Sequence, residues 1–199
     1  MMIEINQLSK TYGEKQVLCR FSASFPEGET ICIMGKSGCG KTTLLRLMMG
    51  LEPPDNGSIC GVQGKRISAV FQEDRLCENL SAVSNIRLVC ANRFSRPQIE
   101  QSFAEVGLEG CLEQPVRELS GGMKRRVAIV RALLADFDLL FLDEPFKGLD
   151  PETERLTAAY LLRKTAGKTV FLVSHNPRGI ERMQGHLFRM PDPPILSEK

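Results

Sequence analysis

The sequence predicts an α/β fold: a mostly parallel sheet core, an N-terminal antiparallel β subdomain, and an inserted α-helical subdomain. Three observations carry this. The final third alternates short apolar runs with amphipathic helical stretches, the pattern of a parallel sheet covered on both faces. The first third holds three strand-like runs divided by turn signals. Between them, residues 73–119 lose the β pattern and read as helical. The chain of 199 residues is expected to form one domain, with 1–72 and about 120–199 as the core and about 73–119 as the helical subdomain.

Each element has a local reason. "MIEINQL" alternates apolar and polar residues, and "QVLCRFSASF" and "ETICIMG" follow the turn signals Tyr12-Gly13-Glu14 and Pro26-Glu27-Gly28. Residues 41–49 place leucines and methionines at helical spacing and stop at Gly50. "LEPPDNG" is a turn cluster, and "ISAVF" is a buried-strand candidate. Ser95 caps a helix with Pro97 in its first turn. Then come a helix "GGMKRRVAIVRALLA", a strand "DLLFLDEP", a helix "PETERLTAAYLLRKT" and a strand "KTVFLVSH".

Composition narrows the function classes. A net charge of +2 gives no bulk electrostatic case for nucleic acid, and no nucleic-acid partner is expected. The run Lys124-Arg125-Arg126 is expected to be a solvated or interface face. No apolar run approaches the roughly 18 residues of a membrane span, and the start "MMIEINQLSK" does not read as a secretion signal. Seven cysteines, none spaced as C-x-x-C, read as buried reduced thiols rather than a metal or disulfide scaffold.

"GKSGCGKTT", residues 35–43, satisfies G-x-x-x-x-G-K-[ST] between an apolar strand and a helix. Glycines allow the backbone to approach a ligand and aim successive N–H groups at phosphate oxygens. The helix start adds the positive end of its dipole. Gly35, Lys36, Ser37, Gly38, Cys39, Gly40, Lys41, Thr42 and Thr43 are therefore the expected nucleotide cradle, with Lys41 on the β- and γ-phosphates and Thr42 on Mg²⁺. Oxidation of Cys39, a thiol inside that loop, would be expected to hinder nucleotide entry. Asp143 and Glu144 end the apolar run "LLFLDEP", where ligands gather on open α/β sheets. Asp143 suits the metal, and Glu144 suits the attacking water. Together these motifs describe a P-loop NTPase.

"LSGGMKRRVAIVRALL", residues 119–134, resembles the signature segment of ATP-binding-cassette (ABC) proteins, and it precedes the acidic strand at that family's spacing. Other residues stand in the family's order. Tyr12 resembles the aromatic that stacks on adenine, Gln72 the loop glutamine that also reaches the metal, Asp150 the end of the D-loop, and His175 the switch histidine. Tyr12 also fits an ordinary turn tyrosine, and His175 taken alone is more often a satisfied structural histidine. The resemblance implies a site for ATP and Mg²⁺, with Glu144, His175, Gln72 and Lys41 catalytic. It implies that Ser120, Gly121, Gly122 and Asp150 act on the nucleotide of a second cassette, in a homo- or heterodimer.

The family further implies the ATPase subunit of a transporter, peripheral on the cytoplasmic face of the membrane. Transmembrane permease subunits would dock near "FQEDRLCENLSAVSNI", residues 71–86, with Leu76, Leu80 and Val83 as candidate contacts. "FQEDRL" resembles nitrate, sulfonate and taurine importers, whose systems also use an extracytoplasmic solute-binding protein. The alternative is a soluble cassette acting as a mechanical switch. Met123 and "FKGLD" depart from the commoner glutamine and serine-alanine forms, and the interval from Gly57 to Gln72 is shorter than is usual in the family, which implies a trimmed hairpin near the adenine. The ending "PDPPILSEK" leads to an expectation of no added regulatory domain.

Overall fold

The computed structural model describes residues 1–90 and 93–192. Strands β1 (Met2–Tyr12), β2 (Lys15–Pro26) and β3 (Thr30–Met34) lead to helix α1 (Lys41–Met48). Strands β4 (Asn56–Cys60) and β5 (Ile67–Val70) precede α2 (Ala82–Cys90) and α3 (Arg96–Ala104), and a short 3-10 turn (Val116–Glu118) leads into α4. The rest is α4 (Gly121–Leu134), β6 (Leu139–Asp143), α5 (Pro151–Lys164), β7 (Thr169–Val173), α6 (Pro177–Met183) and β8 (His186–Arg189).

Five strands form a parallel sheet in the order β5-β6-β7-β3-β8, and three form an antiparallel sheet in the order β2-β1-β4. Period-two alternation explains how the parallel sheet is buried on both faces. Ile31, Ile33, Phe141 and Phe171 point into one cluster with α1 and the antiparallel sheet. Cys32, Leu140, Leu142, Val170 and Leu172 point into the other, with α4, α5 and the helical segment. Phe171 stacks on Phe141 and meets Phe25 edge-on, both at 5.3 Å between centroids.

The Ser95 cap forms a full capping box with Gln98, so the α3 start is as read from sequence. Several expectations change. β4 and β5 belong to different sheets, so no hairpin lies between Gly57 and Gln72. β4 escapes detection because its residues are mostly exposed and carry no apolar alternation. α6 and β8 are further additions, the latter short and mostly exposed on a sheet edge.

The basic run on α4 is no solvated face. Arg125 is buried, pairs with Asp74 at 3.2 Å, and donates to the Phe71 and Gln72 carbonyls. Arg126 donates to the Val106 and Gly107 carbonyls. These cations replace absent secondary structure by capping loop carbonyls. Val83 is core rather than a surface contact, and Leu76 is half-buried, which leaves Leu80 exposed among the three. Cys19, Cys60 and Cys77 are exposed, against the expectation of buried thiols, while Cys32, Cys39, Cys90 and Cys111 are buried. Residues 193–199, most of the ending read above, lie outside the described residues. Among the described residues, no helix is long and apolar enough to cross a membrane.

Candidate functional site

β3 runs apolar to Met34 and then turns through residues 35–40 into α1. Gly40 holds this turn. It stands at the helix N-cap with φ +97°, and a Cβ there would lie 2.9 Å from Leu18 Cδ2 and 3.2 Å from the Val17 carbonyl. The Lys41 ammonium donates to the Gly35 and Lys36 carbonyls at 2.8 and 2.9 Å, folded back along its own loop.

A cleft of about 640 Å³ opens beside this loop. Ser37, Gly38, Gly40, Lys41, Thr42 and Thr43 form one wall. Tyr12, Gln72, Asp143, Glu144 and His175 complete it from distant parts of the chain. The sheet order explains the convergence. β7 lies between β3 and β6 and all three run parallel, so their ends meet at one edge of the sheet.

The Thr42 hydroxyl donates to Asp143 Oδ2 at 2.8 Å, which joins the loop to the acid strand across a hundred residues of chain. Glu144 adopts φ +52°, a left-handed conformation unusual for a side-chain-bearing residue, at the end of β6. Its Oε2 accepts from the Ser174 hydroxyl at 3.2 Å. Its Oε1 is buried, accepts no hydrogen bond among the described residues, and lies 3.6 Å from His175 Nε2. Tyr12 sits at the rim, donating to the Glu52 carboxylate. Partial burial and that carboxylate push its phenol pKa upward.

Other predicted residues lie apart. Lys36 points outward to Asp192 at 2.7 Å. The Cys39 side chain is buried in the core behind the loop, so its thiol does not face the cleft, and only its backbone can serve a phosphate. The thiol instead accepts from the Lys41 ammonium at 3.8 Å, so an effect of its oxidation would act through that lysine rather than from within the cleft. Gly35 precedes the cleft wall, its carbonyl holding Lys41. Ser120 caps α4 by accepting from the Met123 N–H at 3.3 Å. Gly122 packs close to Gly148, so the Ser120-Gly121-Gly122 start and the Asp150 segment form a second, neighbouring surface outside the cleft. Asp150 caps α5, accepting from the Glu152 and Thr153 N–H groups. Met123 packs half-buried against the core.

Lys15 and Lys147 also line the cleft, and neither is among the site residues the motifs predict. For Lys147, the departure at "FKGLD" was the available signal. For Lys15, which stands near Gly38, there was none.

A glycine loop at a helix start, hydrogen-bonded to an acid at the end of a parallel strand of the same sheet, defines a phosphate-binding α/β protein of the P-loop class. A family model described as ABC transporter matches residues 18–147. The chain belongs to the ABC transporter family of ATP-binding cassettes.

It is similar to an aliphatic sulfonates import ATP-binding protein, SsuB 2, of Burkholderia cenocepacia (strain HI2424), at 38% identity over 81% of this chain and 62% of that protein. The taurine import ATP-binding protein TauB of Escherichia coli O157:H7 is also 38% identical, over 88% of this chain and 74% of its own length. The chain thus spans less than two thirds of the length of the Burkholderia relative. Among solved structures, the dimeric bacterial ABC transporter cassette MJ0796 superposes with a TM-score of 0.84 at 26% identity, covering 94% of both chains. The same cassette in a post-hydrolysis dimeric state bound to ADP and Pi gives 0.83 at 27% identity, covering 96% of this chain and 94% of that one.

Proposed function

We propose that this chain is a single cassette that binds and hydrolyses ATP to drive a multi-subunit importer, with residues 73–119 as its helical arm. The observation that carries the reading is the Thr42–Asp143 hydrogen bond, with Glu144 and His175 beside it. The loop N–H groups and Lys41 hold the phosphates, and the Tyr12 ring offers a face for adenine at the rim.

The Thr42 hydroxyl, the buried Asp143 carboxylate and the Gln72 amide are hard oxygen donors of the kind Mg²⁺ takes together with substrate phosphates. When bound there, Mg²⁺ supplies charge neutralisation for the transferred phosphoryl group. Glu144 accepts a hydrogen bond from the attacking water through its unengaged Oε1 and takes up its proton. His175, 3.6 Å from that oxygen and lining the cleft, would meet the terminal phosphate of a bound nucleotide.

The Ser120-Gly121-Gly122 helix start lies outside this cleft and offers bare N–H groups to an anion. A second cassette, bringing its nucleotide to this surface, satisfies both half-sites. The permease would meet residues 71–86, placing the chain on the cytoplasmic membrane face. Likeness to sulfonate and taurine import proteins supports a small-molecule cargo, delivered by a solute-binding protein.

The test is Glu144→Gln. It is expected to abolish Mg²⁺-dependent turnover, keep nucleotide affinity, and form an ATP-dependent dimer visible by light scattering. A variant that stays monomeric at saturating ATP refutes the sandwich. Unchanged calorimetric nucleotide binding by Lys41→Ala refutes the cradle.

A further inference from the structure

The segment that carries His175 is tied down by a buried carboxylate with no place in the motifs above. Glu154 lies on α5 and is 5% exposed. Its Oε2 accepts from Asn176 Nδ2 at 2.8 Å, and its Oε1 lies 3.3 Å from Arg182 Nε on α6, an ion pair without a hydrogen bond among the described residues. A carboxylate this deep is costly unless its oxygens are engaged, so both partners matter to its presence.

The Asn176 amide has one consistent orientation. Its Oδ1 accepts from the Arg178 N–H at 3.1 Å, capping α6, which leaves Nδ2 as the donor to Glu154. The Asn176 N–H donates to the Ser174 hydroxyl oxygen at 3.1 Å, and that hydroxyl donates to Glu144 at 3.2 Å. His175 therefore stands between two residues, one bonded to the acid turn and the other to α5. Its own ring is half-exposed and comes no nearer to Glu144 than 3.6 Å, so its neighbours fix its place. α6 seats against the same turn, because Gly179 packs on Phe146 so closely that a Cβ would meet the ring at 2.6 Å.

We propose that Glu154 is a positioning residue for hydrolysis, acting through Asn176 to hold His175 in register with Glu144. The kinetic part rests on the ATPase reading above; the contact itself does not.

The experiment compares Glu154→Ala, Glu154→Gln and Asn176→Asp in the full chain. Glutamine keeps an oxygen for Asn176 but loses the charge facing Arg182. Aspartate at 176 keeps the helix cap but replaces the donor with a repelling carboxylate. For Glu154→Ala and Asn176→Asp, kcat is expected to fall about tenfold or more, while KM and the calorimetric Kd for Mg-ADP stay within about twofold. Glu154→Gln is expected to retain at least about a third of wild-type kcat, because the hydrogen bond survives.

A readout without turnover uses the two histidines of the chain. At fixed pH, the Cε1 proton resonance of His175 is expected to move in Glu154→Ala and Asn176→Asp. That of His186, which sits beside Glu29 on β8, stays in place. An unmoved His175 resonance overturns the proposal, as does a Kd that weakens in step with kcat. Should Glu154→Ala fail to fold, Asn176→Asp and Glu154→Gln decide by the same criteria. A wild-type chain without Mg-ATP hydrolysis would overturn the ATPase reading instead, while the resonance comparison still decides the contact.

Discussion

Gly40→Ala tests the loop independently of any ligand. The residue has φ +97° and ψ 10°, a region where a Cβ costs about 1–2 kcal/mol. The added methyl group would stand 2.9 Å from Leu18 Cδ2, 3.0 Å from Val17 Cγ1 and 3.2 Å from the Val17 carbonyl oxygen. The leucine tip can shift a little, but Leu18 is buried in the core and the carbonyl belongs to a paired strand. Overpacking of this kind adds about 1–2 kcal/mol. The sum, about 2–4 kcal/mol, corresponds to a Tm lowered by about 5–15 °C in a chain of this size. Thermal unfolding followed by circular dichroism measures it, and calorimetry on the same samples is expected to show weakened nucleotide binding. A variant that melts within about 2 °C of wild type refutes the strain argument.

Three further outcomes follow from other contacts. Arg125→Met removes the partner of Asp74 and the donors to the Phe71 and Gln72 carbonyls. Asp74 is only partly buried, so breaking the pair costs up to about 3 kcal/mol, and urea unfolding checks it; ATPase turnover should also fall because Gln72 loses its anchor. Thr42→Val keeps the shape but deletes the donor to Asp143. The Mg²⁺ concentration for half-maximal ATPase should rise about tenfold or more, while nucleotide binding measured in EDTA changes little. Hydrogen bonds from Arg66 hold the Asp138 carboxyl well below the usual carboxylate range. A depressed pKa means stability that is present above the ordinary value, near 4, and lost as pH falls toward the depressed one. Asp138→Asn should therefore lower Tm at pH 7, and the gap to wild type should shrink on acidification toward pH 2. A gap independent of pH refutes that assignment.

Local patterns made much of the site legible. The glycine loop, the acid pair and the serine helix cap each depend on residues adjacent in sequence, and each sits where its spacing placed it. The apolar runs of β3, β6 and β7 were equally plain, since strands buried on both faces admit little else. β4 and β8 were opaque because edge and surface strands lack that constraint. The basic run on α4 misled for a related reason: charge in a sequence reads as solvated, whereas Arg125 is buried against loop carbonyls that only the folded chain supplies.

By itself, then, the sequence determined the buried strands and the main helices between them, the phosphate loop, and the membership of a nucleotide-binding family, because these rest on periodicity and on motifs a few residues long. The tertiary structure alone decided which distant groups meet. Strand order brings Thr42 to Asp143, turns the Cys39 thiol inward, and joins Glu154 to Asn176. Those contacts depend on sheet topology and side-chain burial, neither of which leaves a period in the chain.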